Sequence, residues 1–291
     1  MIYLVLSILA STTILIVFKL FERFKVPNFQ AIVCNYFAAG FCGMLLQGDF
    51  QKVTVVYQFS WFYYALALGS FFISIFFLMA LTTQRSGLSV VSVATKMSVV
   101  IPILFGLLYY KESLGITKGI GILLALVAVY LASIKNKHGL TIKKRNLIFP
   151  VLVFIGSGII DTGIKFLEEA FVAPEDVAIF SSTLFFAAGS IGLLVLFIQK
   201  LKGTLQFEAK SIVGGLALGI PNFFTVYFLV AALRSNLMES SGIFTINNIG
   251  VVTFSTLAGI LLFNEKLIPK NWLGILLALL SIVLITLSKL S

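Results

Sequence analysis

The sequence has little charge, one histidine and two cysteines. Charged residues make up 11% of its 291 residues, whereas a soluble domain of this size carries about 25%. The low charge therefore excludes a soluble globular protein. A single histidine, His138, and two cysteines are too few for the usual Cys/His metal sites and for Ser-His or Cys-His catalysis within a membrane. We predict no catalytic residue, no metal, no cofactor and no enzymatic activity.

The two cysteines are not predicted to form a disulfide. Cys34 and Cys42 lie on one predicted helix, roughly 12 Å apart along its axis. A disulfide requires Cα atoms within about 7 Å of each other. Both cysteines are therefore expected to be packing residues of a membrane span.

Long hydrophobic runs fill most of the sequence. Hydrophobic residues make up 59% of the chain, and its mean hydropathy is +1.08. A helix that crosses a bilayer needs about 20 apolar residues, and we predict an all-α integral membrane protein with ten transmembrane helices. The first helix lacks the basic segment that precedes the core of a cleaved signal peptide. The predicted spans are residues 2–21, 29–47, 59–82, 87–109, 114–134, 147–168, 176–198, 211–233, 240–263 and 270–289.

The net charge of +10 lies in short loops and not in a basic domain. We therefore predict the lipid bilayer as a partner and no nucleic acid. Most lysines and arginines fall in the loops that follow the odd-numbered spans. By the positive-inside rule, this distribution predicts that both termini lie outside the cytoplasm.

The two halves of the chain resemble each other. We predict two five-helix domains, residues 1–138 and 139–291. The boundary between them falls within a basic, polar segment, residues 135–145. Because five is an odd number, the second half starts on the opposite side of the membrane, and the repeats are inverted. This architecture places a site at the midplane and allows alternating access. The matching passages are Phe37–Gly43 with Phe186–Gly192, Leu66–Gly69 with Leu216–Gly219, and Gly106 and Glu112 with Gly259 and Glu265.

Spans 4 and 9 end in related passages, Pro102–Glu112 and Leu257–Glu265, and a span that contains glycine follows each. Together with the five-plus-five arrangement, these passages resemble the EamA type of the drug/metabolite transporter superfamily. The resemblance implies a carrier whose central cavity is lined by spans 1–4 and 6–9, with spans 5 and 10 at the periphery. Members export amino acids, metabolites or drugs, or exchange sugar phosphates and nucleotide sugars. Members usually keep both termini inside the cytoplasm, whereas the charge distribution of this chain predicts both termini outside.

Lys96 lies near the centre of predicted span 4, where a lysine costs about 2.5–3.5 kcal/mol on insertion scales. Ser89 and Ser92 precede it at spacings that put all three side chains on one helix face. Pro102 follows and is expected to kink the helix. We predict that Lys96, Ser89 and Ser92 bind the substrate; the alternative is that Lys96 forms a structural ion pair.

Span 6 offers a counter-charge, Asp161, which we also predict to bind the substrate. Lys165 follows it by about one helical turn, so a local pair between Asp161 and Lys165 is one interpretation. A pair between Asp161 and Lys96 across the cavity is the other, and the sequence leaves the choice open. A carboxylate opposite a lysine also gives a transporter a site for a coupling proton.

Spans 8 and 9 carry further polar residues. Thr245 and Asn248 share a face of span 9, the repeat partner of span 4, and Asn222 lies in span 8. We predict that all three bind the substrate, with hydrogen bonding between helices as the alternative. Glu112 and Glu265 end their spans, and we interpret them as structural residues that cap the following helix or lock the repeats.

The sequence thus predicts a secondary active transporter that moves a small organic metabolite across the cytoplasmic membrane, as an exporter, by alternating access. The expected substrate is an amino acid, an organic acid or a drug-like compound, and the expected assembly is a monomer or a homodimer. One alternative is a sugar-phosphate exchanger, but such carriers place a Lys-Arg pair where this chain has Asn247 and Asn248. Another is a structural membrane subunit, which leaves Lys96 and Asp161 unexplained.

Overall fold

Helices account for nearly all of the described structure. The computed structural model describes residues 1–47, 55–109, 115–133, 148–173, 176–235 and 240–287. These residues form eleven α-helices, one short 3₁₀ turn and no strand. The helices are α1 (Ile2–Arg23), α2 (Asn28–Gln47), α3 (Phe62–Ser86), α4 (Leu88–Met97), α5 (Val100–Tyr109), α6 (Ile116–Ser133), α7 (Ile148–Phe171), α8 (Val177–Leu201), α9 (Lys210–Arg234), α10 (Ser240–Phe263) and α11 (Pro269–Leu287).

The helices are those of a multi-pass membrane protein. Within the described residues, eight stretches are long and apolar enough to cross a bilayer, if α4 and α5 are counted as the single stretch Leu88–Tyr109. Two shorter apolar helical stretches, Ile116–Ala132 and Ile148–Ile164, accompany them. A helix satisfies its own backbone hydrogen bonds, which is why it can lie in hydrocarbon.

Burial is distributed as expected for a protein whose outer surface contacts lipid. Large apolar side chains such as Leu108 and Leu261 are 82% and 74% exposed. By contrast, Ser92 and Ser281 are fully buried. Lipid solvates the exposed leucines, so the polar side chains are the ones that gain from contact with protein.

The described chain divides into two compact units. The first contains residues 1–19, 78–159 and 225–291, and the second contains residues 20–77 and 160–224. The limits of the units fall inside α1, α3, α7 and α9. The predicted boundary between residues 138 and 139 lies outside the described residues, and the two five-helix domains stay a prediction.

In the first unit, α6 and α11 pack along each other in antiparallel directions. A Cβ added at Gly121 would lie 2.7 Å from the Ile285 side chain, and one at Gly274 would lie 2.5 Å from the backbone nitrogen of Ala132. The Ser281 hydroxyl donates a hydrogen bond to the Gly121 carbonyl, 2.7 Å away. The absence of side chains at the two glycines therefore brings the helix backbones close together.

In the second unit, α2 and α8 form a similar antiparallel pair. A Cβ added at Gly40 would lie 3.0 Å from the Phe186 ring, and one at Gly189 would lie 3.1 Å from the Phe37 ring. The two phenylalanine rings lie 6.1 Å apart. Each ring thus packs over the glycine of the other helix, so a larger side chain at either glycine would require the ring to shift.

Candidate functional site

The predicted stripe of span 4 lies on α4, in the first unit. Ser89 and Ser92 are fully buried, and Lys96 is half-buried in the last turn of the helix. The Ser92 hydroxyl donates to the Ser89 carbonyl at 3.0 Å. Ser89 Oγ is buried and has no hydrogen-bond partner among the described residues. A cation at the C-terminal end of a helix is stabilised by the partial negative charge of the carbonyls there.

Predicted span 4 is not one continuous helix. It breaks at Ser98 and Val99, two residues beyond Lys96, and resumes at Val100. Pro102 lies in the first turn of α5, and the break begins at Ser98, four residues before it. The reason is that a proline cannot donate to the carbonyl four residues earlier and clashes with it, and that carbonyl belongs to Ser98.

Local hydrogen bonds partly compensate for the break. The Ser98 carbonyl accepts a hydrogen bond from the Ile101 amide at 2.9 Å, three residues away instead of four. The Ser98 hydroxyl donates to the Thr95 carbonyl at 2.6 Å, and the Thr95 hydroxyl donates to the Val91 carbonyl at 2.9 Å. Irregular backbone at this depth of a membrane span requires such internal partners or a water-filled cavity.

Helix α10 packs against α4 in the same unit and carries the polar residues of predicted span 9. Asn247 is 2% exposed, and its Oδ1 has no hydrogen-bond partner among the described residues. Asn248 is half-buried. The Thr245 side chain lies outside the described part of the chain. The structure thus adds Asn247 to the candidates. Its sequence signal was an amide within a predicted membrane span.

Asn222 lies in the second unit, where it contacts another amide. Its Nδ2 donates to Asn35 Oδ1 at 3.2 Å, and Asn35 is fully buried on α2. Asn35 Nδ2 is 3.4 Å from the Ile32 carbonyl. Helix α9 runs without interruption through Pro221. Unlike Pro102, this proline is not accompanied by a break in its helix. Asn35 was not among the predicted site residues, although an amide within a predicted membrane span is itself a signal.

Asp161 also lies in the second unit, on α7, and its side chain is exposed. The Lys165 side chain lies outside the described residues. The choice between Lys165 and Lys96 as the partner of Asp161 therefore stays a prediction. Glu112 and His138 lie outside the described part of the chain as well.

The second unit contains a cavity of about 350 Å³. Apolar side chains of α2, α3 and α8 supply most of its lining, and none of the predicted site residues belongs to it. It therefore adds no support to the predicted site. The lining residues are Met44, Val56, Phe62, Leu66, Ile179, Ser182, Thr183, Phe186, Ala187, Ser190 and Ile191.

The described residues contain no group of three or more His, Cys, Asp or Glu side chains able to hold a metal ion. Cys34 and Cys42 are both free thiols. Their separation along α2 agrees with the prediction that they do not form a disulfide.

Comparison with known proteins gives a family but not an activity. No family model matches the chain. It is 30% identical over 281 residues to a protein of Haemophilus influenzae described as an uncharacterized protein, covering 95% of this chain and 94% of that one. A solved crystal structure shares the fold, with a TM-score of 0.59 and 13% identity over 98% of each chain.

Proposed function

We propose that this chain, which belongs to the same family as the Haemophilus influenzae protein, is a secondary active transporter of the EamA type. It exports a small organic metabolite across the cytoplasmic membrane by alternating access. The observation that carries this proposal is the break at Ser98 and Val99, two residues from a lysine in the middle of a membrane span. Of the predicted substrate-binding residues, Lys96, Ser89, Ser92, Thr245 and Asn248 belong to the first unit, and Asp161 and Asn222 belong to the second.

Broken helices favour transport over a purely structural role. Transporters use discontinuous helices near the midplane, where the free ends of the half-helices meet substrate and coupling ions. A structural span gains nothing from an interrupted backbone, because each unsatisfied backbone group in hydrocarbon costs several kcal/mol. Lys96 provides a positive charge at the same place, which favours a substrate with a carboxylate.

Two unpartnered polar atoms support a binding role for this unit. Ser89 Oγ and Asn247 Oδ1 are buried without a hydrogen-bond partner among the described residues. A buried polar atom without a partner costs about 1–3 kcal/mol, and a bound polar ligand or water would remove that cost. We therefore include Asn247, beside Lys96, Ser89 and Ser92, among the substrate-binding residues.

The inverted repeats proposed for this protein have support in reciprocal contacts. In the second unit, Gly40 contacts Phe186, and Gly189 contacts Phe37. Gly189 follows Gly40 by 149 positions, and Phe186 follows Phe37 by the same number. A two-fold axis between two repeats pairs residues in this way, because each contact is then repeated with the partners exchanged.

In the first unit, the contacts between α6 and α11 are reciprocal in the same way. Gly121 contacts Ile285, and Gly274 contacts Ala132. Gly274 follows Gly121 by 153 positions, and Ile285 follows Ala132 by the same number. Both helix pairs are antiparallel, as an axis in the membrane plane requires. Together with the two shorter apolar helices, these contacts support ten spans in two inverted halves.

Binding measurements with Lys96 variants test the proposed function. Purified protein is screened for thermal stabilisation by amino acids, organic acids and organic phosphates, since a compound that binds the native state raises its apparent stability. Uptake of the binders into proteoliposomes is then measured. Lys96→Met should abolish binding and transport in a folded protein, and Lys96→Arg should retain part of both.

Lys19→Met is the matched control. Lys19 is another lysine of a membrane span, and its Nζ donates to the Gln84 carbonyl at 3.0 Å. Its loss should lower stability without removing binding. Wild-type binding and transport by Lys96→Met would contradict the proposal. Stabilisation by organic phosphates alone would favour the exchanger alternative, and the absence of any binder or uptake would favour a structural subunit.

A further inference from the structure

The turn that follows α10 presents a glutamate to the start of α4. Helix α10 ends at Phe263, and Asn264 adopts a left-handed conformation with φ of 51°, which asparagine tolerates better than most residues. The Glu265 amide donates to the Gly259 carbonyl at 2.9 Å and closes the turn. This closure fixes the backbone from which the Glu265 side chain extends.

The Glu265 carboxylate caps α4, not the helix that follows it. Its Oε1 accepts a hydrogen bond from the amide of Leu88, the first residue of α4, at 2.8 Å. Gly87 precedes the helix with φ of 106°, and a Cβ added there would lie 2.7 Å from the same oxygen. A glycine has no side chain to cap the helix, so Glu265 supplies the acceptor that an N-cap residue usually provides.

The capped segment is the one that bears Lys96. Helix α4 is ten residues long, with Gly87 at one end and the break at Ser98 and Val99 at the other. Its position along the membrane span is therefore not fixed by a continuous helix on either side. A contact at its first amide has a direct effect on the placement of the whole segment.

We infer that Glu265 is a positioning residue of the proposed site. Its carboxylate holds the start of α4 against the end of α10, and thereby keeps Lys96 in register with Asn247. Glu265 does not itself contact the substrate in this scheme. The inference rests on the proposed function for its effect on transport, whereas the effect on α4 can be measured without any substrate.

Hydrogen exchange at the start of α4 tests the contact itself. Glu265→Ala removes the acceptor, and exchange of the amides in residues 88–91 should accelerate by about tenfold. Glu265→Gln keeps an oxygen acceptor and should show a smaller increase. The matched control is Glu208→Ala, because Glu208 is a surface carboxylate that pairs with Lys210 at 2.7 Å. Unchanged exchange in Glu265→Ala would overturn the inference.

Gly87→Ala tests the same contact by changing the residue that lies against the Glu265 carboxylate. The new Cβ would displace the carboxylate and strain the backbone. Gly203→Ala introduces a Cβ at another positive φ, 68°, with no atom within 4 Å, and so tests whether an alanine at positive φ elsewhere in the chain alters exchange in α4. Exchange in residues 88–91 should rise in Gly87→Ala and not in Gly203→Ala. Adding Glu265→Ala to Gly87→Ala should raise exchange little beyond Gly87→Ala alone, since both variants remove the same interaction.

Uptake kinetics separate positioning from simple loss of folded protein. With radiolabelled amino acids as the probe, Glu265→Ala should raise KM by about tenfold, because a displaced Lys96 binds its anion less well. A merely structural defect would lower the amount of active protein and therefore the apparent kcat at an unchanged KM. Glu265→Gln should stay within about twofold of the wild type.

The outcomes distinguish the two proposals. Faster exchange with a raised KM supports the positioning role, and faster exchange with an unchanged KM overturns it. If the wild type transports none of the probes and none stabilises it, the proposed function fails. The exchange experiment still decides whether Glu265 holds α4. If Glu265→Ala does not fold, Glu265→Gln and Gly87→Ala decide the outcome through the same two measurements.

Discussion

Asn271 links α11 to α6, and its loss should measurably weaken the fold. The side chain is 7% exposed. Its Nδ2 donates to the carbonyls of Leu131 and Ala132 at 3.1 and 2.9 Å, and its Oδ1 accepts from the Ile268 amide at 3.0 Å. The two carbonyls belong to the last turn of α6, and the amide lies just before α11, where a helix cannot supply partners.

The magnitude follows from the three bonds. Each is worth about 0.5–1.5 kcal/mol net, and more if its partner stays buried without a replacement. Asn271→Ala should therefore lower the free energy of unfolding by about 2–4 kcal/mol. The corresponding fall in Tm is roughly 3–7 °C for a chain of this size. Asn271→Asp should be at least as destabilising, because it places a carboxylate against two carbonyl oxygens.

Thermal unfolding of the purified protein in detergent, followed by intrinsic fluorescence, measures the change. Ser281→Ala removes one bond of the same helix pair and should cost about 1 kcal/mol. Leu273→Ala alters a side chain that is 47% exposed, and its effect should be small. A Tm for Asn271→Ala within about 1 °C of the wild type would refute the reasoning, since the three bonds would then contribute nothing.

Three further predictions concern the second unit and the topology. Gly40→Ala should destabilise the protein by about 1–3 kcal/mol through contact with the Phe186 ring, and Phe186→Leu in the same chain should restore part of the Tm. Asn35→Leu should lower the Tm more than Asn222→Ala, because Asn35 is fully buried and Asn222 only half-buried; equal values would contradict this. The charge distribution places Leu140, which lies outside the described residues, in the cytoplasm. After removal of the native cysteines, Leu140→Cys should resist an impermeant maleimide in intact cells and react in inverted vesicles.

The membrane class and most helix limits could be read from the sequence. The prediction of spans at 211–233 and 240–263 differs little from Lys210–Arg234 and Ser240–Phe263. Hydropathy works here because a bilayer demands a long apolar helix whose backbone is satisfied internally. The requirement applies to each stretch of residues separately, so the hydropathy of a short window is enough to predict a membrane-spanning helix.

The break in span 4 could be predicted only in part. Pro102 indicated an interruption. The helix breaks at Ser98 and Val99, because proline has no amide hydrogen to donate to the Ser98 carbonyl, four residues earlier. The sequence rule contains that offset of four residues, and applying it would have placed the break beside Lys96. Whether the hydroxyls of Thr95 and Ser98 satisfy the neighbouring carbonyls depends on rotamers that the sequence does not specify.

The sequence by itself determined which residues are polar within the membrane: Lys96, Asp161, Asn222 and the asparagines of span 9. Only the tertiary structure decided which of them are buried and what they contact. It pairs Asn222 with Asn35 and buries Asn247 more deeply than Asn248. It also brings Glu265 to the amide of Leu88, 177 residues earlier in the chain. The physical reason is that burial and such contacts depend on how separate helices pack, whereas periodicity describes each helix alone.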